Sequence, residues 1–440
     1  MPDSLRSLTF AAGALIVGSL AVSTTALPAQ SSATPTFSRD VAPILYRECA
    51  SCHRPGEIAP MSLLTYEQAR PYARAIRDRI ELGTMPPWHA EAAPGTFLNE
   101  RRLSAAEKET ITKWANNGAP QGDPKDMPPV PVFPEGWTIG KPDAILTMAE
   151  PYNVPASGTI AYQYVAVPTN FTEDKWVQAI EIRPGVRSVV HHVLVFASEP
   201  GGATRQQPFV QRNPGAAPTA AGPIAQQVSP EVIAALRNRA QTAGSMRGPL
   251  IATTAPGTNA MVFRPGEALR IKAGAVLTLQ VHYTATGKPE KDKSSVGFVF
   301  AKEPPKQEVR SAAFVNAQLA IPAGASNHRV DSLIEFTQDS HIAALFPHTH
   351  LRGKSWEYRL TYPDGREEVV LAVPRYDFNW QTYYEFAKPI AVPKGSKVLA
   401  IAHYDNSANN KANPNPTVEV KWGDQTWEEM QYSGITYTVD

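Results

Sequence analysis

The 440-residue chain contains two cysteines, and both stand in one motif, Cys49-Ala50-Ser51-Cys52-His53. C-x-x-C-H is the attachment signal for a c-type haem. The two thiols would form thioethers to the haem vinyl groups, and the imidazole of His53 would then sit on the iron. The same spacing also serves C-x-x-C redox pairs, but these need a βαβ context that the flanking sequence lacks. Met85, in Gly83-Thr84-Met85-Pro86-Pro87-Trp88, is either a core methionine or the second axial ligand, and Met/His ligation raises a haem potential. His89 competes for that position and is read as a surface histidine. With both cysteines used for haem, no disulfide is left to staple the fold.

A second set of residues points to another metal chemistry. His348-Thr349-His350 is an H-x-H pair. On a strand, alternate residues share a face, so both imidazoles can serve one ion. Met430 lies in the polar stretch Trp427-Glu428-Glu429-Met430, where a core methionine is not expected. Its soft thioether selects Cu(I) over zinc. His191 and His192 are sequence neighbours within Val189–Val195. A regular strand would aim them at opposite faces, so both can bind one ion only where the strand is bulged or bent. His282 is the third candidate. Three imidazoles without sulfur suit copper, zinc or iron. His328 and His341 are assigned to structure or surface, and His403 to core packing or support of the site.

The elements that must carry these residues change character along the chain. Ser38 is placed as the cap of a helix whose Val41, Ile44 and Leu45 share a face and lead into Cys49. Thr65 with Gln68 forms a candidate capping box, and Pro71 limits the helix it opens. Ala73, Ile76 and Ile80 give a helical stripe ending at Gly83. Ser104 with Glu107 opens another helix with Ile111 and Trp114 on its apolar face, closed by Gly118. Short helices around one cofactor are the layout of a small cytochrome c domain. Six prolines between 120 and 134 mark a semi-rigid linker. Beyond it the period becomes two, as in Tyr162–Val167 and Leu277–Tyr283, and Pro363-Asp364-Gly365 reads as a turn. Short strands and frequent turns predict β-sandwiches. Residues 199–260 read as an insertion, with one helix start at Ser229-Pro230-Glu231, and a boundary falls near Pro304-Pro305.

Composition bounds the function. A net charge of +1 excludes the basic footprint that nucleic acid requires. Arg6 followed by the apolar stretch Leu8–Val22 and small residues through Ala29 reads as an export signal, with an uncleaved anchor as the other reading. No later segment is apolar enough to span a membrane.

Residues Trp137 to Tyr437 resemble the copper type II ascorbate-dependent monooxygenases, a family that includes dopamine beta-hydroxylase and the peptidylglycine hydroxylating domain. The resemblance rests on His191-His192 with His282-Tyr283, on His348-Thr349-His350 with Leu351 and Gly353, and on Glu429-Met430, in that order. It implies two β-sandwich domains facing each other across an open cleft. One copper would be held by His191, His192 and His282 for electron storage, the other by His348, His350 and Met430 for O2 activation. Phe346 stands where the peptide-amidating members carry an arginine, which excludes a glycine-extended peptide as substrate. The disulfides of the animal members are missing, and the haem motif is an addition to the family pattern.

The expected fold is therefore multidomain: an all-α cytochrome c domain followed by two all-β, jelly-roll-like sandwiches. The boundaries are a signal peptide at 1–29, the haem domain at 35–119, a linker at 120–136 and sandwiches at 137–305 and 306–440. The expected function is an exported, periplasmic monooxygenase that hydroxylates a C–H bond of a small organic molecule with O2. Its cofactors would be covalent haem c and two copper ions, with ascorbate or another external reductant, or a redox partner protein, as electron source. The alternative is a non-enzymatic copper and haem protein that binds copper or transfers electrons.

Overall fold

The structure is a computed structural model, and it describes residues 34–57, 59–133, 136–202, 207–212, 248–255 and 260–440. The expected export signal and most of the expected insertion, including the helix start at Ser229, lie outside the described residues. Among the described residues no helix is long and apolar enough to cross a membrane.

The chain is mostly β. Its first half contributes β1 (Ala144–Thr147), β2 (Tyr152–Val154), β3 (Gln163–Pro168), β4 (Lys175–Arg183), β5 (Val190–Ser198) and β6 (Phe209–Arg212). There follow β7 (Leu250–Thr254), β8 (Met261–Val262), β9 (Glu267–Ile271), β10 (Val276–Tyr283), β11 (Glu290–Asp292) and β12 (Ser295–Phe300). The second half adds β13 (Gln307–Val315), β14 (Ala320–Ile321), β15 (His328–Phe336), β16 (Ser340–His348) and β17 (Gly353–Thr361). It ends with β18 (Glu367–Val373), β19 (Tyr384–Val392), β20 (Lys397–Tyr404), β21 (Val420–Lys421) and β22 (Tyr432–Val439).

One long sheet runs through both halves in the order β1-β12-β4-β9-β13-β22-β16-β19, with β8 beside β4. The join is a parallel pairing of β9 with β13, Gln307 opposite Glu267. A sheet ordered β3-β10-β5-β7 accompanies the first half, and one ordered β18-β17-β20-β15-β6 the second. Alternate apolar residues explain why the sheets stack. Val177 and Ile180 of β4 and Val296 and Phe298 of β12 share a core with Val193, Val195, Leu277 and Leu279 of β5 and β10. Phe314, Ile342, Leu345, Ile435 and Tyr437 share a second core with Ile334, Tyr358, Leu360 and Val398. Each buried side chain of this size stabilises by about 1.5–3 kcal/mol relative to exposure.

The N-terminal part is built of short helices: α1 (Ala42–Glu48), α2 (Tyr66–Ala69), α3 (Ala73–Glu81) and α4 (Ala105–Asn116). Phe37, Leu45, Leu63, Ile76, Ile80, Ile111 and Trp114 form their shared core. Ser104 and Glu107 make both halves of the expected capping box. Thr65 makes only one half: its hydroxyl accepts from Gln68 N, while the Gln68 carboxamide turns to Ser62 Oγ. Ser38 does not cap. It lies inside a π-turn, Phe37–Val41, and donates to Gln121 O instead, while Asp40 reaches back to accept from Thr36 N.

The stretch after α3 leaves this helical core for the sheets. Trp88 and Phe97 pack on Tyr384 at ring-centroid distances of 5.3 and 5.6 Å, and Phe97 on Phe386 at 5.1 Å. Backbone bonds from Leu98 N to Glu385 O and from Ala387 N to Thr96 O lay this segment along β19.

Candidate metal centre

β5 and β10 pair antiparallel with His192 directly opposite His282. The next pair is Val190 with Tyr283, so the ladder skips His191. His191 is thus the extra residue of a bulge, which bends the strand and re-aims its side chain. A regular strand would have turned it away from His192; here the two Nδ1 atoms lie 3.1 Å apart. One ligand atom from each of His191, His192 and His282 falls within 4.8 Å of the others.

His348 is the last residue of β16 and stands opposite Tyr432, whereas His350 lies beyond the strand. The strand period therefore does not orient the H-x-H pair; Glu429 does. Its buried carboxylate accepts from His350 N at 2.8 Å, Arg352 N at 2.7 Å and Met430 N at 3.2 Å. One side chain thus fixes the turn carrying His350 and the backbone of Met430. Burial pushes Glu429 up to about 7 against the pull of these donors and of Arg352. Gly353 is required here, because a Cβ would overlap the Thr349 hydroxyl and come within 2.8 Å of the Tyr376 ring. Met430 is not in a polar setting. It is buried in an apolar cluster with Leu194, Phe196, Phe346 and Tyr432.

Hydrogen bonds assign the imidazole nitrogens of this pair. His348 Nδ1 donates to Gln381 Oε1 at 2.8 Å, and His350 Nδ1 to Glu428 O at 3.2 Å. Each neutral ring then keeps its lone pair on Nε2. His350 Nε2, His192 Nε2 and His282 Nδ1 are all buried without a hydrogen-bond partner among the described residues. Orphaned buried nitrogens are costly unless something binds them.

The two histidine sets lie side by side rather than across an open cleft. The rings of His192 and His348 are 6.4 Å apart, and those of His348 and His350 5.3 Å. Gln381 spans the sets, donating from Nε2 to His192 Nδ1 at 3.3 Å while accepting from His348. Tyr162 touches His192, His282 and His350, and Phe378 stacks on His191 at 5.6 Å. The cleft is closed by the apolar contact of Leu194 and Phe196 with Phe346, Met430 and Tyr432. Phe346, in turn, stacks on His348 at 5.9 Å.

Burial sets the protonation of the cluster. It lowers His191 and His348 to about 4 and His282 to about 3, and holds His192 and His350 well below their ordinary value. All five are neutral near pH 7, the form that binds metal.

The C-x-x-C-H loop follows α1. His53 Nδ1 donates to Met61 O at 3.2 Å, which leaves its Nε2 lone pair free. Cys49 and Cys52 form no disulfide with each other, and burial pushes the Cys49 thiol up to about 12. Two contacts join this region to the histidine cluster. Arg187, four residues before His191, meets Glu57 at 3.3 Å, and Glu57 also binds Arg54 at 2.8 Å. Arg375 extends to the Leu82 carbonyl, two residues before the loop's Thr84 and Met85. Asp377 raises the pKa of both His89 and His191, which burial lowers in each case. His89 is half-buried, not the surface residue expected. His403 is half-buried beside Ser355 and His341 pairs with Asp440; His328 begins β15. None of these three joins the cluster.

Sequence reasoning missed Gln381, Phe378 and Arg375. They lie in a stretch without period or motif; the fold brings Gln381 and Phe378 to the imidazoles and Arg375 to the Leu82 carbonyl.

No family model matches this sequence, and no curated protein matches it. Among solved structures, the chain is similar to the major capsid protein P2 of bacteriophage PM2, at 10% identity over 67% of this chain and 97% of that one, TM-score 0.28. It is also similar to infectious bursal disease virus, Gx strain, at 11% identity over 68% and 73%, TM-score 0.19. A third likeness, to the mavirus major capsid protein, has 9% identity over 70% and 89%, TM-score 0.19. At these scores the likenesses carry no functional argument.

Proposed function

We propose that this chain is an exported haem- and copper-dependent monooxygenase that hydroxylates a C–H bond of a small organic substrate with O2. The observation that carries the reading is the convergence of His191, His192 and His282 within 4.8 Å through a bulge that has no other evident use. The donor set fits copper. Three neutral imidazoles stand beside a second pair, His348 and His350, whose turn is joined to the Met430 backbone through Glu429, and a thioether favours Cu(I). Copper held there would supply one-electron redox chemistry and the reduction of O2, and a haem at Cys49 and Cys52 would supply stored electrons.

The protein's own contributions are positional. The His191 bulge and the facing His282 would hold one ion. Glu429 would fix His350 and Met430 for the second, with Gln381 keeping the His348 lone pair on Nε2. Leu194, Phe196, Phe346 and Tyr432 keep water from this side of the cluster. The helical region fits a small cytochrome c domain: His53 Nδ1 donates to Met61 O, which leaves its Nε2 free, and Cys49 packs against the helical core. Met85 is proposed as the second axial ligand.

A second reading, a copper and haem protein without catalysis, is favoured by the burial of His192, His348 and His350. One experiment separates the two. Copper-loaded protein with reduced haem is offered small aromatic and aliphatic compounds under 18O2. Product carrying one labelled oxygen, with matched O2 uptake, supports the oxygenase. O2 uptake without any labelled product leaves the electron-transfer reading.

A further inference from the structure

A cavity of about 420 Å³ lies between the haem-attachment loop and the end of β4, outside the histidine cluster. Ser51, the second of the two residues between the cysteines, lines it together with Arg54, Arg183 and Arg187. Its carboxylates are Glu57 and Glu181. Among the described residues, three guanidiniums stand against two carboxylates in the lining. The volume is that of a small-molecule site.

The carboxylates are already engaged. Glu181 accepts from Thr138 N, Thr138 Oγ1 and Ile139 N through a single oxygen, at 2.6, 2.9 and 3.1 Å. Glu57 is shared by Arg54 and Arg187. The guanidiniums are not saturated. Arg183 meets Glu181 only at 3.9 Å and otherwise rests on the Trp137 ring. Arg54 Nε is buried without a partner among the described residues, while its guanidinium lies 4.3 Å over Phe133. The under-paired Arg183 guanidinium on the cavity wall favours an anion, because a carboxylate matches the planar guanidinium fork. Phe133, Ile182 and Pro55 supply apolar wall for the remainder of such a molecule.

We propose that this cavity is a binding site for a small organic monocarboxylate with an apolar body. The Arg183 guanidinium, met by Glu181 only at 3.9 Å, matches one carboxylate, and the ring and aliphatic walls match its hydrocarbon part. Its occupant lies against the C-x-x-C-H loop and beside the Glu57–Arg187 pair that ties this loop to the turn before His191. The inference does not depend on the copper reading.

The test uses the full-length, haem-matured protein, with benzoate as the probe and benzamide as its neutral counterpart, followed by titration calorimetry. Benzoate should bind at one site per chain, and benzamide at least about tenfold more weakly. Arg183→Gln should weaken benzoate by about tenfold or more at unchanged melting temperature. Arg183→Lys, which keeps the charge but loses the fork, should fall between. Absence of saturable benzoate binding at millimolar concentration, equal affinity for benzamide, or indifference to Arg183→Gln in a folded variant would each overturn the proposal.

Discussion

His192 and His282 face each other across the β5–β10 ladder, and the residue that this ladder skips is His191. Three imidazoles at one point thus depend on a single unpaired residue. His191→Ala should keep the sheet, because the ladder on either side is unchanged, but copper should fall from two per chain to one. Elemental analysis of the dialysed variant, with far-UV circular dichroism as the folding check, measures this. Two tightly held coppers in the variant would remove His191 from the site.

Glu429 accepts three backbone N–H groups, those of His350, Arg352 and Met430, and so joins the H-x-H turn to Met430. Glu429→Gln would set an amide NH2 against these donors and should cost about 1–3 kcal/mol. Met430→Ala leaves a cavity in the Leu194–Phe346–Tyr432 cluster and should cost about 2–5 kcal/mol. Both variants should lose the second copper and keep the three-histidine one. Thermal melts and copper counts check the pair. If Glu429→Gln melts like the parent and keeps both ions, the carboxylate is not the positioning group.

The imidazole shifts give the metal-free protein a defined pH response. In the unfolded chain each histidine takes up a proton near its ordinary value of about 6.5. In the fold, His191 and His348 wait until about 4 and His282 until about 3. The unfolded state therefore binds more protons below about pH 6.5, and stability falls as pH drops from there toward 4. Glu429, raised to about 7, works in the opposite direction, but one carboxyl is set against five imidazoles. Metal-free protein should melt lower at pH 5 than at pH 7.5, and bound copper should reduce the difference near neutrality. A melting temperature that is level or higher at pH 5 would contradict the burial of the cluster.

The haem assignment is tested apart from copper. Protein matured in a host that attaches c-type haem should retain it through acid–organic extraction, and Cys52→Ser should leave only a single thioether or none. Mass spectrometry of the peptide spanning Cys49 to His53 reads the added mass. Haem that extracts fully from matured protein would sink the covalent assignment.

Much of this site was legible because spacing carries chemistry. The H-x-H pair and the His191-His192 doublet are local patterns, and the need for a bulge at the doublet follows from strand geometry alone. The reason given for H-x-H was wrong in detail. His350 lies beyond β16, and a carboxylate 79 residues away in sequence orients it. Met430 looked polar from its neighbours, yet the strand pairing of β16 with β22 buries it. Gln381, Phe378 and Arg375 carried no signal, since their roles arise only where β18 and β19 bring their connection to the imidazoles. The shared long sheet was equally hidden: the parallel β9–β13 pairing leaves no mark in the period of either strand.

The central claim is that these residues form two copper sites. Anomalous diffraction at the copper edge from crystals of copper-loaded protein tests it most directly. Two peaks are predicted, one bounded by His191, His192 and His282 and the other by His348, His350 and Met430. A single peak, a peak remote from these residues, or none despite two equivalents of added copper would contradict the account.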